Sequence, residues 1–134
     1  METIMQTSIS TSKVFISPDA LLSHWQGHRR LTRKVIEAFP EDKLFSYAIG
    51  GMRPFADIAK EIMGVAGTGI RGIVTDDWTF EPELDYHSNV STPKTKEAML
   101  RLWDRVTDEI NTFWPQITEQ RFLEVVKAFG QWEN

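Results

Sequence analysis

The chain has no cysteine. That excludes disulfides, thiolate metal sites and a cysteine nucleophile, and leaves histidine, carboxylate and water as the ligands open to any metal. Basic residues are not in excess: the net charge is -4, where a broad phosphate-binding surface needs a basic stripe or surplus, so nucleic acid is not an expected partner. No segment is apolar enough to span a bilayer, and the first sixteen residues, METIMQTSISTSKVFI, lack the basic start and long apolar run of a secretory signal. A membrane is likewise not an expected partner, and a cytoplasmic location is the default. Internal repeats and low-complexity tracts are also missing.

What is present fits one soluble domain. The 134 residues, 41% hydrophobic and 25% charged, suffice for a core without covalent or metal staples. Residues 1–16 read as a polar leader and 17–134 as the domain. Ser17, Pro18 and Asp19 make a helix start, with a capping hydroxyl, proline at the first position and an acid in the first turn. The helix is expected to run to about Phe39, before Pro40, with an apolar stripe of Leu21, Trp25, Thr32, Val35, Ile36 and Phe39. His28 falls inside that stripe and His24 at its flank. The basic run HRRLTRK, 28–34, reads as the solvated side.

A connection containing Gly50 and Gly51 leads to Pro54, which opens a second helix whose apolar face is Phe55, Ile58, Ile62, Val65, Gly69 and Ile73, with Glu61 at its edge. A polar loop bearing aromatic residues, 75–93, follows; its simplest reading is a solvated loop held by a few rings. Thr92 and Pro93 look like the next cap and first helical residue. The third helix, to about Trp114, carries Met99, Leu102, Trp103, Val106, Ile110 and Phe113 on one face. The run from Phe122 to Phe129 suits a strand or a short helix, and its β-branched residues favour a strand. Three long amphipathic helices predict an all-α, up-down helical bundle with a short C-terminal strand. Stripes of this width call for a fourth helical partner.

Three motifs carry possible chemistry. GTGIRG, 67–72, matches the dinucleotide fingerprint in form, but that fingerprint works only between a strand and a helix start; at the end of an amphipathic helix its small residues serve close packing. His24 and His28, four residues apart, have the spacing to share one metal, yet no third ligand is encoded nearby, so packing is the simpler reading. His87 reads as a solvated loop residue. Asp57 and Glu61 lie one turn apart at the border of the second helix; they are either an exposed flank or, for Glu61, a carboxylate between helices that a cation would compensate.

The segments HWQGHRRLTRKVIEAFPEDKLFSY, GGMRPFADIAKEIMGVAGTGIRGI and EVVKAFGQWE, in this order, resemble the DinB family of DinB/YfiT-like metalloenzymes. The resemblance runs from about Phe15 to the end. It implies a dimeric four-helix bundle with a long crossover and a divalent metal at one end, held by three histidines, one from the second helix and two from the fourth. Here the second-helix position, six residues after Phe55, is Glu61. The fourth helix, with its expected His-His-Arg-Gly-Gln segment, is not in these residues, so either another subunit supplies it or the chain is a fragment.

The resemblance therefore implies a metal-dependent, thiol-dependent transferase or hydrolase, acting on a small molecule or thiol, with zinc, nickel or manganese as cofactor in the complete protein. Glu61 stands as the metal ligand inherited by position, and His28 as a neighbouring or additional ligand. A homodimer is the expected assembly. The competing reading is a non-catalytic, dimerising or ligand-binding stress module with no working metal site and no metal in this chain.

Overall fold

A computed structural model describes residues 15–133 of the chain; the expected leader, 1–16, lies almost wholly outside the described residues. Five helices follow one another: α1 (Pro18–Ala38), α2 (Glu41–Leu44), α3 (Phe55–Thr75), α4 (Lys96–Phe113) and α5 (Glu119–Leu123). Single 3-10 turns occupy Pro82–Leu84 and Trp114–Gln116. Two short strands, β1 (Lys127–Ala128) and β2 (Trp132–Glu133), pair antiparallel, Lys127 opposite Glu133. The architecture is an all-α bundle with a small terminal hairpin. No helix among the described residues is long and apolar enough to cross a membrane.

The ends of α1 follow from local chemistry. The Ser17 hydroxyl accepts from the Ala20 amide at 3.1 Å, Pro18 takes the first helical position, and Phe39 leaves the helix in an extended conformation before Pro40. The start of α4 corrects the expectation placed on Thr92: the cap is Thr95, whose hydroxyl accepts from the Ala98 amide at 3.1 Å. Thr92 is unavailable because its buried hydroxyl is spent on Asn89, in a turn that also engages Lys94. Both α1 and α4 thus satisfy an orphan amide with a side chain.

The C-terminal run divides instead of choosing. Residues 119–123 are helical, capped by Thr118, and the hairpin begins only at Lys127. Phe129 and Gly130 supply the positive φ angles, 55° and 69°, that turn the chain back. Arg121 ties this segment to the bundle: its guanidinium donates to the Ile73 carbonyl at 2.7 Å, to Asp76 at 2.7 Å and to Glu124 at 2.8 Å. Ile73 is in the last turn of α3, where carbonyls lack helical partners, so Arg121 also serves as a C-terminal cap.

The core sits between α3 and α4, with α1 across α4. Met99, Leu102, Trp103, Val106 and Ile110 of α4 are buried, as their spacing predicts. The buried face of α3 is a different one from that expected. Ala56, Ala59, Met63, Ala66 and Ile70 face the core, while Ile62 and Val65 are 37% and 43% exposed. Small residues win the inner position because they let α4 and the 80–87 segment approach closely.

The stripe on α1 is also rotated. Gln26, Arg29 and Ile36 are buried, with Leu22, Trp25 and Phe39 beside them, whereas Leu21, Leu31 and Val35 are exposed. Arg29 therefore leaves the solvated run assigned to it. Its guanidinium stacks over Trp103 at 4.2 Å and donates to the Trp103 carbonyl and the Thr107 hydroxyl. The same rotation takes His28 out of the interior: both His24 and His28 are exposed.

Candidate functional site

The outer face of α3 is the floor of a groove of about 670 Å³. Ile58, Ile62, Val65 and Ile73 line it from the helix; Trp25 of α1, Trp78 of the following loop and Phe129 of the hairpin form its walls. This is the apolar face read from the sequence, turned to a cleft instead of the core. Its volume falls in the range of small-molecule sites, which are mostly apolar with a few placed polar groups. Among the described residues the sole ionisable side chain lining it is Glu61.

Glu61 is held from outside the groove. Arg53, on the connection before α3, donates to its carboxylate at 2.6 Å. That hydrogen bond, then the charge of Glu61, raises the guanidinium pKa. Tyr86 belongs to the same end: burial first, and then the negative charge of Glu61, pushes its hydroxyl pKa up. Glu61 is therefore the groove's polar group, with the Arg53 guanidinium bonded to it from outside and the Tyr86 phenol near enough to feel its charge.

The sequence carried no sign of this trio. Arg53 is eight residues from Glu61, outside the three- and four-residue spacing that marks helical pairs, and it reaches back from a non-helical segment. Tyr86 arrives through the loop, over Gly64. A Cβ at Gly64 would stand 2.5 Å from the Leu84 carbonyl oxygen and 2.6 Å from the Tyr86 ring. At Gly72 a Cβ would collide with the Trp78 ring, and at Gly67 it would lie 2.9 Å from Leu84. Gly64, and Gly67 and Gly72 of the GTGIRG motif, are there for close packing of the loop; Gly69 is not.

The predicted ligands are not brought together. The His28 ring meets His24, Nε2 to Nε2 at 3.3 Å, and is not part of the groove lining where Glu61 sits with Arg53. His87 is exposed near Asp85, 3.7 Å away, with its ring against Tyr86 and Phe80. Among the described residues no group of three or more histidines and carboxylates is placed to hold a metal ion. Glu61 offers one oxygen-donor side chain to the groove, and a metal centre with an open position needs about three protein ligands. The described residues alone do not fit such a centre.

The fold and groove together define a helical-bundle domain with an open apolar cleft and one carboxylate at its polar end. A sequence model of the DinB family matches residues 5–132. The chain belongs to the DinB family. Comparison with curated proteins finds no match.

Proposed function

We propose that this chain acts in metal-dependent catalysis of the thiol-dependent transferase or hydrolase type, with the groove taking the apolar body of a small substrate. Glu61 is assigned the part of one metal ligand, and the ion's other donors come from outside the set that the described residues bring together. The observation that carries this reading is the place of Glu61: a lone carboxylate at the polar end of an apolar groove, on the second long helix. Family membership supports the metal chemistry. The Arg53 guanidinium holds the carboxylate in place while leaving its head at the groove, a supporting contact of the kind that orients ligating side chains.

The test is metal content. Purified untagged protein carrying His24→Ala and His28→Ala, so that the surface imidazoles do not contribute, is incubated with zinc, nickel or manganese and desalted; it is expected to retain one of them, and the same protein with Glu61→Gln to retain it at least about tenfold less tightly. Circular dichroism of both proteins checks that the substitution leaves the helices intact. Equal, near-zero retention in the two proteins overturns the assignment.

A further inference from the structure

We propose that His24 and His28 form a second, surface metal clip for a tetrahedral transition-metal dication, zinc in the first place. It goes beyond the groove and does not depend on the reading given to Glu61. Both residues are on α1, one turn apart and exposed, so the helix itself fixes their spacing. Their Nε2 atoms are 3.3 Å apart, with ring centroids 4.6 Å apart and planes inclined by 78°.

That distance is one that a shared ion could span. With metal–nitrogen bonds of about 2.0–2.1 Å, two ligands on the edge of a tetrahedron stand roughly 3.3–3.4 Å apart, and two at a right angle roughly 2.9 Å. The observed separation is the tetrahedral one. In the metal-free pair the two rings hydrogen-bond across this distance, one donating and the other accepting according to tautomer, and a bound ion would replace that bond. Among the described residues neither ring has another hydrogen-bond partner. Two exposed rings one helical turn apart are free to reorient onto a shared ion, and the remaining two positions of the ion are open to water. Imidazole suits zinc, nickel and copper and disfavours magnesium and calcium.

The chain has three histidines, so its imidazole signals are resolved in a two-dimensional NMR spectrum, with His87 as an internal control. Titration with zinc in a non-coordinating buffer, on untagged protein, is expected to shift the His24 and His28 ring signals together and leave those of His87 in place. His24→Ala and His28→Ala should each weaken zinc binding roughly 10²-fold, because the survivor loses its chelate partner. In Glu61→Gln the paired shifts should persist; if metal retention at the groove is absent while they persist, the groove reading fails and the clip stands. The clip is overturned if His87 shifts as much as the pair, if either alanine variant binds zinc as well as the wild type, or if Glu61→Gln abolishes the paired shifts.

Discussion

Substituting alanine at Gly64 and at Gly69 sets two opposed effects against each other on one helix. Alanine is favoured over glycine inside a helix by about 1 kcal/mol, so an open site gains stability. At Gly69 the new Cβ would meet only the Phe129 ring, at 3.5 Å, an ordinary contact. Gly69→Ala should therefore stabilise by roughly 0.5–1 kcal/mol. At Gly64 the obstacles at 2.5 and 2.6 Å are a backbone carbonyl and a packed ring, and Leu84 is only 2% exposed. Neither is the loose end of a flexible chain, so the 84–86 segment must lift. Overpacking costs about 1–3 kcal/mol, and two rigid obstacles at once put this site in the upper part of that range, about 2–3 kcal/mol. Set against the helical gain, Gly64→Ala should lose about 1–2 kcal/mol net, and the two variants should differ by about 2–3 kcal/mol.

Urea and thermal unfolding followed by circular dichroism read this directly. For a chain of this size 1 kcal/mol moves the midpoint by roughly 3–5 °C, so Gly64→Ala should melt several degrees below the wild type and Gly69→Ala a few degrees above. The reasoning fails if Gly64→Ala is as stable as the wild type, which would mean that the 84–86 segment is not seated on α3. It fails equally if both variants lose the same amount. Gly69→Ala, on the groove floor, should also change ligand affinity without unseating Tyr86.

Arg121→Lys should destabilise by about 1–2 kcal/mol and speed proteolysis between residues 117 and 131, since an ammonium cannot span Ile73, Asp76 and Glu124 as the planar fork does; cleavage at the wild-type rate would discard the clamp. Arg29, whose pKa burial pushes down to about 10, should tolerate methionine with a change within about 1 kcal/mol or a gain, because Thr107 still donates to the Trp103 carbonyl when the guanidinium is gone. Arg29→Ala should lose about 2 kcal/mol or more through its cavity, and a methionine variant as unstable as the alanine one would contradict this. Lys60 is buried, donates to Asn89 at 3.1 Å, and has a lowered pKa, through burial first and then the charge of Lys94. Folding disfavours its charged form, so this group costs stability below its folded pKa, and stability returns as pH rises from that value towards the ordinary lysine range. Urea midpoints at pH 8 and pH 10 should show Lys60→Met flattening that gain; an unchanged slope would remove Lys60 as its source.

Several features were set by local sequence alone. Ser17 with Pro18 starts α1, Pro54 precedes α3, and the face of α4 is regular enough for its five core residues to be named without coordinates. Each depends on chemistry within one or two turns: a hydroxyl reaching an amide, a fixed proline φ, a repeat of 3.6 residues. Glu61 beside Ile58 and Val65 was legible for the same reason. The choice between faces was not. Helix α3 is apolar on two sides, and periodicity picks the bulkier, whereas close approach of α4 and the loop put the small-residue side inside and left the bulky side to the groove. On α1 the inward turn is fixed by Arg29 over Trp103, a contact 74 residues distant along the chain, and that rotation turned His28 from the interior to the surface beside His24. Tyr86 came near Glu61 by a reach of that kind, and Arg53 from the non-helical segment before α3. Local rules fix where helices begin and which residues share a face; only the packing of distant segments decides which face is buried, and with it which polar groups meet.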